Sequence, residues 1–268
     1  MTDTFADGTS VASRLGVTAR VVNGQLVLDL SPRPEVMHHG VVRASVLAFV
    51  MDAVAGIAVD TDPEVWTLTS DLSVRMRPRP APTRIEAIGS VLRQGGRSVT
   101  CAVELTSDEG ELVATGALGF AKVPRRDSDP PKPRVRPDTS VAMFSGLSLL
   151  SQPLREEAGI EVIDPVHGEV QLRVTPELRN PAGTLQGAMV ALVAEAAAED
   201  MVSTRFESPV VVTDLDVRYL ARAPEGPVRS KARLLGDGPE AAVEVELVDT
   251  SVNRVTTLVY ARTAAIRS

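Results

Sequence analysis

The sequence is poor in cysteine, histidine and aromatic residues, and each shortage excludes a class of protein. Cys101 is the only cysteine, so the chain can form neither an internal disulfide nor a cysteine-based zinc cluster. Only three of its 268 residues are histidines, and no metal site is expected from so few ligands. A reducing, cytoplasmic setting is therefore expected, and the opening residues 1–10 lack the basic segment of a secretory signal.

Positive charge is also in short supply, which argues against polyanionic partners. The net charge is −7 and the pI is near 5.1, so nucleic acid and anionic membrane surfaces should be repelled. The most apolar stretch, Val41 to Val59, contains Arg43 and Asp52. Because charges are costly inside lipid, no membrane span is expected there.

The sequence does contain one long internal repeat. Gly40 to Arg75 aligns without gaps with Gly183 to Arg218, at a constant offset of 143 positions. The alignment pairs glycine with glycine and Asp52 with Glu195. At the end of each stretch it pairs aspartate with aspartate, at positions 71 and 214, and arginine with arginine, at positions 75 and 218. Such a constant period indicates a duplication, and the two halves should pack as a homodimer does, about a pseudo-twofold axis.

Each half has the same predicted order: an extended segment, a buried helix and four strands joined by short turns, an α+β arrangement. The predicted elements of the first half are a strand or a bent pair of strands over Val17–Leu30, a helix over Val41–Val59 and strands over Val65–Met76, Arg84–Leu92, Ser98–Thr106 and Glu111–Val123. Those of the second are an extended Ile160–Val174, a helix over Thr184–Ser203 and strands over Pro209–Ala221, Val228–Leu235, Ala241–Val248 and Arg254–Ile266.

The domain boundaries follow from a proline-rich segment between the copies. Residues 1–123 form the first predicted domain, 124–140 a semi-rigid linker and 141–268 the second domain. Within the linker, Pro124 to Asp138 should be neither a core strand nor a helix. A short helix without a counterpart in the first half is predicted within Phe144–Gly159.

The second copy carries a motif with a recognisable spacing. Asn180, Gly183, Gln186 and Gly187 are followed by a carboxylate at Glu195. This pattern resembles the N-x-x-G-x-x-H-G-G…D/E motif of the PaaI-like acyl-CoA thioesterases, with Gln186 in the usual histidine place. The resemblance covers both halves and implies a double hotdog fold, in which each sheet wraps a long central helix. It also implies hydrolysis of an acyl-CoA, with coenzyme A as part of the substrate and no separate cofactor, in a homo-oligomer of two or more chains.

Helix geometry indicates that a working site must combine the two halves. Gly187 falls in the first turn of its helix, where free backbone N–H groups can hold a carbonyl oxygen. Glu195 lies eight residues further along, roughly 12 Å away, too far to act on a carbonyl held there. Site one is therefore Asp52 with Asn180, Gln186 and Gly187. Site two is Glu195 with the residues at the corresponding positions, which are Met37, Arg43 and Ala44.

Site one is the better candidate, because Met37 cannot donate a hydrogen bond and Ala44 adds a methyl group where close approach is needed. Site two is interpreted as decayed or repurposed. In the related family, a serine or threonine eighteen positions after the helix carboxylate helps to orient water or substrate, which indicates Ser70 here.

The chemistry expected at site one is attack on a thioester carbonyl, with Asp52 acting either as general base on water or as the nucleophile. The phosphates of coenzyme A require basic residues nearby, and Arg75, Arg77 and Arg218 are predicted for that role. Arg79 and Arg222 are also available. The alternative is a non-catalytic module that binds or senses acyl-CoA with two degenerate sites, although the retention of Asn180 opposite Asp52 favours turnover.

Overall fold

The computed structural model describes residues 10–129, 131–132 and 137–266. In the first half, the strands are β1 (Val17–Val22), β2 (Gln25–Leu30), β3 (Met37–His38), β4 (Val41–Val42), β5 (Val65–Met76), β6 (Ile85–Gln94), β7 (Ser98–Ser107) and β8 (Leu112–Pro124), and the helix is α1 (Ala44–Val59). In the second, two short helices, α2 (Pro137–Met143) and α3 (Leu154–Ala158), precede β9 (Ile160–Asp164), β10 (Glu169–Leu172), α4 (Gly187–Phe206), β11 (Val210–Tyr219), β12 (Val228–Leu235), β13 (Ala242–Asp249) and β14 (Arg254–Ala265).

Twelve of these strands form one antiparallel sheet in the order β1-β2-β6-β7-β8-β5-β11-β14-β13-β12-β10-β9. The order of the second half mirrors that of the first, and β5 and β11 join the halves at the centre. Each helix packs on the strands of its own half, α1 in the first and α4 in the second, and the two helices contact each other. The predicted α+β fold, a sheet curved around a central helix in each half, is confirmed.

The predicted burial of both helices is also confirmed. α1 buries apolar residues on most of its surface, and α4 is rich in buried alanines such as Ala191, Ala194 and Ala197. A helix that is apolar on every side must be covered on every side. Here the sheet covers one side and the other helix covers the next. Within the described residues, no helix is long and apolar enough to cross a membrane.

The predicted start of both helices is wrong by three residues. Val41 and Val42 pair with His38 and Met37 as a two-residue hairpin, so α1 begins only at Ala44. In the second half, Gln186 has an extended backbone and caps α4, which begins at Gly187. In the first half, valine suits a short strand as well as a buried helix, which is why periodicity alone misplaced the start of α1.

Two other predictions between the halves need correction. The short helix α3 does have a counterpart, the single helical turn Ala12–Arg14, and both end near a glycine with positive φ, Gly159 and Gly16. Helix α2 begins at Pro137, inside the segment from which a helix was excluded, because proline is favoured in the first turn. The linker positions 130 and 133–136 lie outside the described residues, as do positions 1–9 of the predicted first domain.

Candidate active site

A cavity of about 510 Å³ lies between the two halves. Its walls are the second half of α1, the start of β5, the chain around the N-terminus of α4, and residues 219–223, from the last residue of β11 onwards. Five residues predicted to form the site line it together: Asp52, Ser70, Asn180, Gln186 and Gly187. The sixth, Glu195, does not line this cavity.

Asp52 contributes the carboxylate of the cavity. It projects from the middle of α1, and its Oδ1 accepts a hydrogen bond of 2.6 Å from the Thr69 hydroxyl. Burial raises the pKa of Asp52 to about 6, although the Thr69 hydrogen bond acts in the opposite direction. A carboxylate with such a pKa is ionised at neutral pH and is still basic enough to accept a proton.

The hydroxyl that holds Asp52 belongs to Thr69 and not to Ser70. The Ser70 hydroxyl donates to Asp71 at 2.9 Å, although Ser70 also lines the cavity. The reason is a β-bulge between Thr69 and Asp71, where β5 gains one residue against β8. A bulge changes which side chains face inward, and spacing along a sequence does not reveal it.

The N-terminus of α4 faces the same cavity. The side-chain oxygen of Gln186 caps the helix by accepting the N–H of Ala188. Gly187 is the first helical residue, so its N–H has no carbonyl one turn earlier to bind and is suited to a ligand oxygen. This is the donor that the sequence predicted.

Tyr219 is a further residue of the site that sequence reasoning missed. Its hydroxyl donates to the Gly187 carbonyl at 3.0 Å, and a Cβ added to Gly187 would lie 3.1 Å from the Tyr219 hydroxyl oxygen. Burial and the charge of Asp52 raise the pKa of Tyr219, so the phenol stays protonated. The one available signal was that Tyr219 ends β11 where its counterpart in β5, Met76, is apolar.

Asn180 organises the loop that leads into α4. Its side-chain oxygen accepts the N–H of Thr184 at 3.2 Å, and its backbone N–H donates to the Thr184 carbonyl at 2.8 Å. The turn closes through Gly183, which has a φ of +78° and donates to the Asn180 carbonyl. Asn180 therefore both shapes the loop and lines the cavity.

The corresponding position in the other half is filled by buried ionic side chains. Glu195 accepts hydrogen bonds from the Ala44 N–H at 2.7 Å and the Ser45 hydroxyl at 2.5 Å. Arg43 Nη1 lies 2.9 Å from Glu199 Oε2 and 3.8 Å from Glu195 Oε2. Arg43, Glu195 and Glu199 are each at most 5% exposed. The helix N-terminus that would hold a substrate oxygen already holds a protein carboxylate.

Met37 was predicted to be the counterpart of Asn180 in the first half, and this prediction is wrong by one residue. The bridge between Arg179 and Leu185 corresponds to the pair Met37 and Val42, which makes His38 the counterpart of Asn180. The loop of the first half is one residue shorter, so the constant offset ends just before Gly40. The shift matters because His38 is polar where Met37 is not.

His38 belongs to the buried ionic cluster. Its Nε2 lies 3.7 Å from Glu199 Oε2. Burial, together with the positive charge of Arg43, lowers the pKa of His38 to about 3, so the imidazole is neutral at ordinary pH. Burial also raises the pKa of Glu199 to about 7, despite the neighbouring guanidinium. Within the described residues, no group of three or more His, Cys, Asp or Glu is arranged to hold a metal ion.

The arginines predicted for phosphate binding lie apart from the cavity. Arg75 makes a two-pronged contact with Asp216 at 2.7 and 2.9 Å, and Arg218 lies 3.9 Å from Asp71. Arg75 Nε also lies 3.4 Å from Asp214, so both repeated pairs, Asp71 with Arg218 and Asp214 with Arg75, join β5 to β11 at the seam. Arg75, Arg77 and Arg79 line a surface groove of about 450 Å³, whereas Arg222 lines the Asp52 cavity itself.

The groove and the cavity mouth are related by the duplication. Met76, Arg79, Val113 and Ala114 line the groove, and the residues 143 positions later line the cavity: Tyr219, Arg222, Thr256 and Thr257. The groove is thus the outer part of site two, whose interior the ionic cluster fills.

Comparison with known proteins gives structural matches only. No family model and no curated protein matches the sequence. A Mycobacterium avium subs paratuberculosis tesB protein shares 12% identity at a TM-score of 0.65, over 96% of this chain and 98% of its own. A putative thioesterase II from Thermobifida fusca shares 18% identity at a TM-score of 0.60, over 96% and 97%. A conserved protein with a hot dog fold from Alicyclobacillus acidocaldarius shares 14% at 0.56, over the full length of both chains. The fold is therefore a double hotdog.

Proposed function

We propose that this protein hydrolyses an acyl-CoA, or a related acyl thioester, to the free acid and thiol in the Asp52 cavity. The observation that carries the proposal is the convergence of two functional groups from opposite halves. The Asp52 carboxylate comes from α1, and the Gly187 N–H comes from the first turn of α4. Two of the structurally similar proteins are named as thioesterases or tesB proteins, which supports the same reaction class.

In the general-base route, Asp52 takes a proton from water as the water oxygen attacks the thioester carbon. The negative charge that develops on the carbonyl oxygen is held by the Gly187 N–H and the positive end of α4. The tetrahedral intermediate then expels the thiolate, which receives the proton from Asp52. In the alternative route, Asp52 attacks the carbonyl carbon and expels the thiolate, and water later hydrolyses the resulting mixed anhydride to the free acid and the Asp52 carboxylate.

The remaining residues would position these groups. Thr69 orients the Asp52 carboxylate, and Tyr219 donates a hydrogen bond to the Gly187 carbonyl in the first turn of α4. Gln186 caps the helix that supplies the donor. Arg222, at the cavity mouth, is the arginine suited to the phosphates of coenzyme A, whereas Arg77 lies in the groove of site two.

The test is release of free thiol from a panel of acyl-CoAs by the purified wild-type chain. We expect turnover of at least one of them, with kcat/KM falling on the acid side of about pH 6 as Asp52 becomes protonated. Tight binding of an acyl-CoA without any thiol release would contradict hydrolysis and favour a binding module.

A further inference from the structure

Arg222 is the cation of the cavity mouth, and a carboxylate of the linker lies beside it. Arg222 follows β11 in the second half, and its side chain lines the cavity while remaining 42% exposed. Its Nη1 lies 4.0 Å from Oδ1 of Asp129, which belongs to the linker. Two opposite charges at this distance attract each other, although water around the guanidinium keeps the energy of the pair small. The protein thus partly neutralises its own mouth arginine.

Asp129 is held in this position from the first half. Its Oδ2 accepts hydrogen bonds from the Arg126 backbone N–H at 2.9 Å and from the Trp66 indole N–H at 3.2 Å. The side chain of Asp129 is only 12% exposed. The Arg126 N–H, followed by the Trp66 N–H and the charge of Arg222, holds the pKa of Asp129 below its usual range, so the carboxylate is ionised at neutral pH.

The linker is anchored to the first half a second time by Lys132. Its ammonium group donates to Asp60 Oδ1 at 2.6 Å and to two backbone carbonyls of the first half, each at 2.7 Å. Three acceptors satisfy all three N–H groups of a lysine, and this side chain is 4% exposed. Its Nζ also lies 5.8 Å from the centre of the Trp66 ring. These contacts do not involve Arg222, so they can persist when Arg222 changes partner.

A ligand phosphate would compete with Asp129 for the same guanidinium. Guanidinium groups bind phosphate and carboxylate through the same planar set of N–H donors. Within the described part of the chain, no acidic side chain other than Asp129 lies in ion-pair range of Arg222. The protein therefore places its own anion next to the arginine that is suited to the phosphates of the thiol carrier.

We propose that Asp129 sets the preference of the cavity mouth among thiol carriers. It competes with the phosphate of a phosphorylated carrier for Arg222 and so weakens the binding of such carriers, whereas a carrier without phosphate is unaffected. When a phosphate binds, Arg222 exchanges Asp129 for the ligand, and Lys132 keeps the linker in place. This inference rests on the proposed function, because it takes Arg222 as the contact of the carrier phosphates.

The test compares three thioethers that carry the same short alkyl group on coenzyme A, on phosphopantetheine and on pantetheine. None has a carbonyl to hydrolyse, and the pantetheine compound alone lacks phosphate. Asp129→Asn removes the charge, keeps a side-chain oxygen for the Trp66 and Arg126 N–H groups, and changes no residue that lines the cavity. Titration calorimetry should show coenzyme A binding tightened by about threefold to fivefold, as expected for a partly exposed ion pair, and pantetheine binding unchanged.

The phosphopantetheine compound identifies the phosphate involved. A gain for both phosphorylated compounds assigns the phosphate on the pantetheine arm to Arg222, and a gain for the coenzyme A compound alone assigns the phosphates of its nucleotide. Either result supports the proposal. Unchanged coenzyme A binding in Asp129→Asn, or an equal gain for pantetheine, would overturn it.

Asp127→Asn is the matched control. It makes the same change in net charge two residues away, at an exposed side chain that forms no hydrogen bond or ion pair with the described residues. It should leave all three affinities unchanged. A gain equal to that of Asp129→Asn would assign the effect to overall charge and contradict the proposal.

Arg222→Gln completes a double-mutant cycle. Alone it should weaken binding of the phosphorylated compounds, and in its presence Asp129→Asn should no longer improve binding. A gain that persists without Arg222 would show that Asp129 does not act by competing for it. The predicted affinity pattern without hydrolysis of any acyl-CoA overturns the proposed function alone, whereas hydrolysis with equal affinities in wild type and Asp129→Asn overturns this inference alone.

Discussion

Asp52 and Glu195 occupy the same turn of two copies of one helix, yet Asp52 lines an open cavity and Glu195 is buried in contact with the opposite helix. Glutamate is longer by one methylene, and its carboxylate reaches the Ala44 N–H and the Ser45 hydroxyl. Aspartate stops short and is held by Thr69 instead. A single methylene thus accompanies the difference between a carboxylate that faces a cavity and one that caps a helix.

The neighbouring positions differ in the same sense. At three of four paired positions site one has the smaller side chain, and at the fourth it has a hydroxyl group where site two has a methyl group. The pairs are Gly187 with Ala44, Gln186 with Arg43, Thr69 with Val212, and Gly56 with Glu199. Duplication has kept the fold symmetric and left one of two equivalent cavities open.

The largest expected effect separates the two carboxylates by activity. Asp52→Asn should lower kcat/KM for an acyl-CoA by about 10²- to 10⁴-fold, because it removes the proton acceptor. Glu195→Gln should leave kcat/KM within roughly threefold, since Glu195 does not line the cavity. Steady-state thiol release by both variants checks the pair, and a larger loss in Glu195→Gln would reverse the comparison.

The next effect concerns the stability of the filled site. Arg43→Met removes the cation that contacts Glu195 and Glu199, which stay buried beside each other, and should lower the free energy of unfolding by about 3–5 kcal/mol. Urea unfolding measures it. The control is Arg233→Met, which removes a largely exposed pair with Glu244 and should cost less than about 1 kcal/mol. Similar losses in both would show that the buried cluster has no special role.

A smaller effect is expected from exchanging the hydroxyl between the two sites. Thr69→Val introduces the residue found at position 212, and the loss of the hydrogen bond should raise the pKa of Asp52 above about 6. Activity at pH 7 should fall roughly tenfold, with the acid side of the pH profile moved to higher pH. Val212→Thr should change neither. An unmoved profile in Thr69→Val would mean that Thr69 does not act through Asp52.

The smallest effect is a gain in stability from Asp52→Asn, the same substitution that should lower activity most. The folded-state pKa of Asp52, about 6, exceeds the unfolded value of roughly 3.9, so its contribution to stability falls as pH rises through that interval. At pH 7, Asp52→Asn should therefore stabilise the fold by on the order of 1 kcal/mol, a value reduced for partial solvent exposure. Urea unfolding should show a smaller gain at pH 5. Destabilisation at pH 7 would contradict the burial of this charge.

The duplication made the fold predictable from the sequence, because a constant period indicated two copies of the same strands and helix. The length of the helix indicated that Asp52 must act with Gly187 of the other half. The seam between β5 and β11 was not predicted, since Arg75 and Arg218 were assigned to phosphate binding. The hydroxyl at Thr69 was not predictable, because a β-bulge has no signature in spacing. His38 was missed because one loop is a residue shorter, and the period was extended past the point where it holds.

The contribution of the linker to the cavity also escaped prediction. Proline and charge described that segment as an extended spacer, yet Asp129 and Lys132 bind Trp66 and Asp60 at the cavity end. Composition indicates how stiff a segment is, but the surface on which it packs depends on contacts between residues that are distant in the sequence.

The most direct test of the central claim is the number of ligands bound per chain. Titration calorimetry with an S-alkyl thioether of coenzyme A, which has no carbonyl to hydrolyse, counts sites without requiring turnover. One open cavity and one filled position predict a stoichiometry of one per chain. A stoichiometry of two, with both sites of similar affinity, would contradict the account, because it would require the position around Glu195 to admit an acyl group as well.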